Sequence, residues 1–333
     1  MKSGKLNWDD LSEIINNNKS VSREDVRIRA GIGEDCSVIS YGDYECVVST
    51  DPITGAETDI GRLAVHINCN DIASSGVEPV GILVTILAPE GTTLDEIKKV
   101  MKEIDEETKK LNVEILGGHT EITKAVNKLI ISCTAIGKGK NNTAVATSGA
   151  KVDDDIIVTK LLAMEGSSIV VKDYYKYVSD VLSMEEVEEI KNYINSISVV
   201  KEGIIAGNFG VNSMHDITEG GVMGALWEMA KASSVGFKVY KEKMPISAAS
   251  EKICSKLKLN PLRFISSGSM LITSKNGEKL VEKLEEEGIK AAIIGKITKD
   301  RGIMVENGVE YKVEPPERDE LFTIEENINK FSI

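Results

Sequence analysis

Strand and helix patterns alternate through both halves of this 333-residue sequence, and the alternation predicts a two-domain protein of the α/β or α+β class. The length agrees, because a single hydrophobic core rarely serves more than about 250 to 300 residues. Residues 137–155 are polar and rich in glycine, lysine and aspartate, as a connecting segment would be. We therefore predict an N-terminal domain over residues 1–147 and a C-terminal domain over residues 148–333.

In the N-terminal half, runs rich in valine and isoleucine predict four strands. They cover residues 44–50, 80–87, 113–116 and 129–137. Residues 60–75 predict a helix that passes through Asn70 and Asp71. The third strand is expected to end in a loop at Gly117 and Gly118.

A second N-terminal helix begins at a capping box, in which the hydroxyl of Thr93 and the carboxylate of Glu96 stand three residues apart. Apolar residues then recur at helical spacing, which indicates an amphipathic helix with one buried side. These residues are Leu94, Ile97, Met101, Ile104 and Leu111.

The pattern restarts after the connecting segment, and a second capping box spans Ser183 to Glu186. Further strands are predicted over residues 156–159, 236–240, 269–273 and 291–297. Further helices are predicted over residues 165–172, 222–232 and 278–287. Both halves place an acidic, glycine-containing segment before a helix, which is a weak indication of a duplicated architecture.

Composition excludes several functional classes. The net charge of −13 argues against broad contact with nucleic acid or with an anionic membrane, and no apolar run is long enough to span a bilayer. The first residues lack the apolar core of a secretion signal. Five cysteines without a CxxC pair favour reduced thiols. We therefore predict a cytoplasmic protein.

Acidic motifs that contain glycine or lie at the ends of apolar runs are the most informative feature of the sequence. They are Gly33-Glu34-Asp35, Ser49-Thr50-Asp51, Asn70-Asp71, His215-Asp216-Ile217-Thr218-Glu219-Gly220-Gly221 and, with a histidine, Gly117-Gly118-His119-Thr120-Glu121. Carboxylates gathered in this way suit a hard divalent cation that holds phosphate oxygens, and glycine lets the backbone approach closely. An acidic protein also needs a local positive charge to bind a polyphosphate. The motifs therefore predict a magnesium nucleotide site.

In order and spacing, these motifs resemble those of the AIR synthase-related (PurM-like) superfamily, and within it the HypE-like group. Further matching segments are Gly61-Arg62-Leu63-Ala64-Val65-His66, Gly76-Val77-Glu78-Pro79, Thr147-Ser148-Gly149-Ala150-Lys151 and Ile265-Ser266-Ser267-Gly268. The resemblance covers nearly the whole chain. It implies a ferredoxin-like N-terminal domain, an α/β C-terminal domain, and a homodimer whose central β-barrel is shared by both subunits.

The resemblance also implies that the protein binds ATP with Mg²⁺ and activates an amide or carbonyl oxygen of a small or protein-borne substrate by phosphorylation. It implies Asp35, Asp51 and Asp71 as metal ligands. The catalytic candidates are Asp71, His119 and Asp216. The candidates for nucleotide binding are Gly117, Gly118, Thr147, Thr218, Glu219 and Gly220.

The sequence departs from the family pattern at two places. His119 stands where many members have a metal-binding aspartate, and neutral imidazole is a poor ligand for Mg²⁺. The last cysteine is Cys254, so the sequence lacks the C-terminal cysteine on which HypE dehydrates a carbamoyl group, and that reaction on the protein's own tail is not expected.

Two alternatives stay open at this stage. One is a small-molecule kinase resembling thiamine-monophosphate kinase, although residues 52–58 lack the His-Phe pair usual there. The other is a nucleotide-binding scaffold without catalysis in a metalloenzyme maturation complex. Among the other candidates, His66 is interpreted as a packed helix residue, His215 is undecided, and Cys36 and Cys69 are interpreted as structural.

Overall fold

The computed structural model describes residues 6, 8–17, 21–54, 59–315 and 318–331, and it contains two mixed sheets. The first sheet has the strand order β1-β2-β3-β6-β4-β5, in which only β4 and β5 run parallel. Its strands are β1 (Val26–Ile28), β2 (Ser37–Tyr41), β3 (Tyr44–Ile53), β4 (Glu78–Ala88), β5 (Glu114–Ile122) and β6 (Ile130–Lys140). The helices of this half are α1 (Trp8–Asn17), α2 (Ile60–Ser74) and α3 (Leu94–Leu111).

The second sheet has the strand order β13-β12-β9-β11-β7-β10-β8. Its strands are β7 (Asp155–Thr159), β8 (Ser213–Ile217), β9 (Gly236–Tyr240), β10 (Ser269–Ser274), β11 (Ala291–Thr298), β12 (Gly302–Glu306) and β13 (Val309–Lys312). The helices of this half are α4 (Met164–Asp173), α5 (Met184–Asn192), α6 (Val200–Phe209), α7 (Gly221–Ser233), α8 (Ala248–Leu257), α9 (Gly277–Glu286) and α10 (Ile324–Phe331). The predicted two-domain α+β architecture is confirmed, and the position of the domain boundary stays a prediction.

The predicted capping box at the start of α3 is confirmed. The backbone N–H of Glu96 donates to the hydroxyl of Thr93 at 3.3 Å, and the backbone N–H of Thr93 donates to the Glu96 carboxylate at 2.7 Å. Val100 and Ile104 of the same helix are buried. The second capping box, at Ser183 and Glu186, is present as well.

The loop predicted at Gly117 and Gly118 is wrong, because β5 continues through both residues. Gly118 pairs with Val84 of β4 at a φ of +153°, and a Cβ on Gly118 would lie 1.8 Å from the Val84 carbonyl oxygen. Glycine is therefore required here because the two strands approach closely, and not because the chain turns. The strand predicted over residues 44–50 is likewise longer and carries Asp51 within it.

The two domains share part of their hydrophobic core through α2, which lies between the first sheet and α6. Two glycines of α6 permit this contact: a Cβ on Gly203 would lie 2.3 Å from the Ala73 carbonyl oxygen, and one on Gly207 would lie 2.6 Å from the Gly76 Cα. Polar residues on α2 can therefore reach both domains at once.

The face of the first sheet opposite α2 is only partly covered in a single chain. Its side chains include Leu83 and Val80, each 40% exposed. None of the helices in the described part of the chain is long and apolar enough to cross a membrane.

Candidate functional site

Four aspartates from separate elements gather where α2 meets the edge of the second sheet. Asp35 precedes β2, Asp51 lies near the end of β3, Asp71 lies on α2, and Asp216 lies on β8. Burial raises the pKa of the Asp71 carboxyl well above its usual range, and the carboxylates of Asp216, Asp51 and Asp35 raise it further. The hydroxyl of Ser49 opposes this effect by donating a 2.5 Å hydrogen bond to Asp71. The structure thus brings together the three predicted metal ligands and Asp216.

Two asparagines on α2 hold the surroundings of this cluster in place. Asn68 bonds both backbone groups of Asp51, accepting from its N–H at 2.9 Å and donating to its carbonyl at 3.3 Å. Asn70 bonds the backbone of the second domain in a similar way. It donates to the Ile197 carbonyl at 2.9 Å and accepts from the Val199 N–H at 2.8 Å. Both asparagines are fully buried, so their amides are committed to these contacts.

His215 belongs to the site. Its position in the sequence alone did not decide this. Its Nδ1 lies 2.6 Å from Asp35 and its Nε2 lies 2.8 Å from Glu228. Burial of the ring disfavours protonation, but the Asp35 and Glu228 carboxylates outweigh it and raise the pKa of His215 well above its usual range. Asp35, His215 and Asp216 each offer one ligand atom within 4.8 Å of the others.

Hydrogen bonds of Ser74 and Glu34 complete the scaffold around Asp35. The hydroxyl of Ser74 donates to Asp35 at 2.9 Å. The Glu34 carboxylate accepts from the backbone N–H groups of Thr147 at 3.0 Å and Ser148 at 2.9 Å. The hydroxyl of Thr147 is buried and donates to the Met214 carbonyl at 3.2 Å, so its predicted contact with a nucleotide stays a prediction.

The buried cysteines near the cluster behave as packing residues. Burial raises the pKa of the Cys36 thiol well above its usual range and that of Cys69 to about 12. The Cys36 thiol lies 3.1 Å from the Asp71 carbonyl. All five cysteines of the chain are free. His66 also matches its interpretation as a packed residue, since it is buried and its Nε2 lies 3.0 Å from Glu107.

His119 is not brought to the cluster within one chain. Asp51 pairs with Cys133, which pairs with Val84. Val84 in turn pairs with Gly118. Because directly paired residues on neighbouring strands lie on the same face of a sheet, Gly118 lies on the same face as Asp51. His119 is the next residue and faces the opposite side, where its side chain is 66% exposed and lies 3.4 Å from Glu121. The roles predicted for Gly117, Gly118 and His119 stay predictions.

The loop between β8 and α7 contains the remaining predicted residues, Thr218, Glu219 and Gly220. Gly220 adopts a φ of +83° at the start of α7, and its N–H donates to the Asp319 carboxylate at 2.6 Å. Burial raises the pKa of Asp319 to about 7. An acidic side chain from the last part of the described chain therefore already bonds the backbone N–H of Gly220, one of the residues predicted to bind nucleotide.

The donor set fits a magnesium ion. The gathered aspartates offer hard carboxylate oxygens, the ligands that Mg²⁺ prefers in proteins. The raised pKa of Asp71 reflects like charges crowded in a buried place, and a divalent cation would relieve that repulsion. His215 supplies positive charge only on the side of Asp35 and Glu228.

Sequence comparisons relate both halves to one family. The N-terminal domain of AIR synthase related protein matches residues 33–138, and the C-terminal domain matches residues 151–306. A Methanocaldococcus jannaschii protein named for hydrogenase expression/formation is 31% identical over 318 residues, 91% of each chain. The carbamoyl dehydratase HypE of Rhizobium leguminosarum is 24% identical over 82% of this chain and 79% of its own. The thiamine-monophosphate kinase of Pyrococcus abyssi is 26% identical over 84% and 87%.

Solved structures show the same fold. HypE in a HypE–HypF complex aligns with a TM-score of 0.75 at 21% identity, over 92% of this chain and 99% of that one. HypE in complex with ATP aligns with a TM-score of 0.68 at 20% identity, over 92% and 91%. Two sequence features that were compared with the family fall partly outside the described residues. Residues 55–58 belong to the segment that lacks the His-Phe pair of the kinases, and residues 332 and 333 belong to the tail that lacks a cysteine.

Proposed function

We propose that this chain, which belongs to the AIR synthase related protein family and to its HypE-like group, is an ATP- and magnesium-dependent enzyme that activates an amide or carbonyl oxygen. The single observation that carries the proposal is the partly buried cluster of Asp35, Asp51, Asp71 and Asp216, built from both domains. Relatives named as carbamoyl dehydratases, and a HypE structure with ATP, support the same class of chemistry.

Asp35, Asp51 and Asp71 would hold the metal. Bound Mg²⁺ would neutralise the phosphate charge and orient the nucleotide. Asn68 fixes the backbone at Asp51, while Ser49 and Ser74 orient the carboxylates of Asp71 and Asp35. Because Asn70 ties the same helix to residues 197–199, the second domain is held in register with the metal ligands. Phosphorylation of an amide oxygen would turn it into a good leaving group, as a dehydration requires.

Calorimetric titration with ATP, with and without Mg²⁺, followed by a phosphate-release assay, tests this proposal. We expect binding that depends on Mg²⁺, followed by slow release of phosphate. Tight binding without release, even with added metabolites, would indicate a nucleotide-binding scaffold in a maturation complex. Absence of binding would contradict the proposal.

We further propose that the bare face of the first sheet pairs with the same face of a second copy. Leu83 and Val80 expose apolar surface there, and the partly buried Val48 and Ile136 extend it across β3 and β6. Such a surface is expensive to leave in water. A homodimer through this face would also place residues of two chains near the exposed side chain of His119.

The variant Leu83→Asp is expected to be monomeric, because it places a charge in the centre of that apolar face. The matched control is Leu94→Asp, which changes a 65% exposed leucine on α3. Light scattering after size-exclusion chromatography would measure both masses. A dimeric Leu83→Asp protein, or a monomeric wild type, would contradict the proposed interface.

A further inference from the structure

The two oxygens of the Asp35 carboxylate have different surroundings. Oδ2 lies 2.6 Å from Nδ1 of His215 and 2.9 Å from the hydroxyl of Ser74. The Ser74 hydroxyl also lies 2.6 Å from the Asp71 carbonyl oxygen, so its single proton serves two acceptors. His215 therefore makes the principal contact with Oδ2, and Oδ1 is left for a metal ion.

Glu228, on α7, fixes the His215 ring from its other side. Nε2 of His215 lies 2.8 Å from Oε2 of Glu228. The side chain of His215 is only 5% exposed and that of Glu228 is 15% exposed, so little water competes for these bonds. An ionised carboxylate only accepts hydrogen bonds, so each of the two carboxylates orients one ring N–H. The ring cannot turn without losing both contacts.

The backbone that carries Asp35 also packs against α7 at Glu228. Gly33 adopts a φ of +77°, and a Cβ on Gly33 would lie 2.9 Å from both the Cβ and the carbonyl oxygen of Glu228. Asp35 follows two residues later and contacts His215. The C-terminal domain therefore holds Asp35 in two ways, through backbone packing at Glu228 and through the ring that Glu228 orients.

The choice between Mg²⁺ and Ca²⁺ depends on how freely a carboxylate ligand can turn. Mg²⁺ demands nearly octahedral geometry with short bonds, whereas Ca²⁺ takes more oxygens and accepts both oxygens of one carboxylate. A carboxylate with one oxygen held by the protein offers only the other oxygen, which suits Mg²⁺. A carboxylate that is free to turn offers both oxygens, which suits Ca²⁺.

We propose that Glu228 is a positioning residue that acts through His215, so that Asp35 offers only Oδ1 to the metal and the site selects Mg²⁺ over Ca²⁺. This inference rests on the proposed function and supplies a reason for its metal specificity. Glu228 belongs to none of the acidic motifs of the sequence. Its role depends on the packing of α7 against the loop that precedes β2.

Calorimetry with a non-hydrolysable ATP analogue tests the inference, with saturating Mg²⁺ in one titration and saturating Ca²⁺ in the other. The ratio of the two dissociation constants gives the preference for Mg²⁺, which we expect wild type to show. Glu228→Ala should reduce this preference by about tenfold, the lower end of the effect of removing a group that orients a metal ligand. Glu228→Gln removes the same charge but should keep most of the preference, because its side-chain carbonyl still accepts from Nε2 of His215.

Two substitutions of His215 form a matched pair. In His215→Asn the side-chain amide nitrogen takes the place of Nδ1 and can still donate to Asp35. In His215→Gln it takes the place of Nε2 and reaches only Glu228. Both variants remove the ring and its charge, yet we expect the asparagine variant to keep the stronger preference for Mg²⁺. A residue that only stabilised the fold would change the unfolding temperature and leave the ratio of dissociation constants unchanged.

The control is Glu185→Ala, which removes an exposed carboxylate in the first turn of α5 and should leave the ratio unchanged. The His215 pair keeps the test valid if Glu228→Ala does not fold. The inference is overturned if wild type binds the analogue equally well with both ions, if Glu228→Ala keeps the wild-type ratio, or if the two His215 variants give the same ratio. The proposed function fails on a different result, the absence of Mg²⁺-dependent binding by wild type.

Discussion

The variant Asp71→Asn is expected to lose ATP turnover by about a thousandfold, since a metal ion contributes several kcal/mol of transition-state charge stabilisation. Asp71 is buried, and its carboxyl is affected by the charges of the other three aspartates. Asparagine keeps the shape and can still accept the hydrogen bond from Ser49. It removes the negative charge that a magnesium ion needs. Phosphate release with saturating Mg²⁺ and ATP would measure the loss.

The fold of this variant should persist, because the substitution relieves crowding among like charges in the metal-free protein. Its unfolding temperature without Mg²⁺ is therefore expected to equal or exceed that of wild type. Asp95→Asn, which changes an exposed aspartate at the start of α3, is the matched control and should change neither quantity. Full turnover by Asp71→Asn would refute the metal assignment.

The variant Gly118→Ala is expected to destabilise the protein by about 3 kcal/mol, through backbone strain and a clash that no side chain can relieve. The new Cβ would meet the Val84 carbonyl oxygen at 1.8 Å, in the middle of the β4–β5 pairing. Gly117→Ala is the matched control. It has a similar φ of +145°, but its Cβ would meet only a Leu83 methyl group at 3.8 Å. It should cost about 1 kcal/mol, from backbone strain alone.

Urea denaturation of both variants would measure the difference in unfolding free energy. Equal destabilisation would show that close strand approach is not the reason for Gly118. The same pair tests the predicted nucleotide role of these glycines. If Gly117→Ala stays folded and loses ATP binding, Gly117 contacts the nucleotide as the family resemblance implies.

The elements that could be predicted from the sequence are those set by local chemistry. The capping box at Thr93 and Glu96 and the helical apolar spacing of α3 depend on residues a few positions apart. The capping box is present, and the predicted apolar stripe packs against the core except for Leu94, which is exposed in the first turn. The glycine pair at 117–118 misled the interpretation, because glycine favours turns locally but here permits a tertiary contact with Val84. Local pattern does not distinguish these two uses.

The residues of the candidate site likewise include some that could be predicted from the sequence and some that could not. Asp35, Asp51 and Asp71 belong to acidic motifs that the sequence shows, and the structure brings them together, while their role as metal ligands stays a prediction. The role of His215 was not predictable, because its partner Asp35 lies 180 residues away in the sequence. Asn70 was visible only as a neighbour of Asp71, and its contacts cross to residues 197–199 of the other domain. Such roles depend on how the domains pack, which the sequence pattern does not show.

The most direct test of the metal assignment is a crystal structure with Mn²⁺ in place of Mg²⁺ and a non-hydrolysable ATP analogue. Anomalous scattering locates manganese independently of any assumption about the ligands. We predict a peak at bonding distance, roughly 2.0–2.3 Å, from carboxylate oxygens of Asp71 and at least one of Asp35, Asp51 and Asp216. A nucleotide bound with its metal elsewhere, and these aspartates free of metal, would contradict the account.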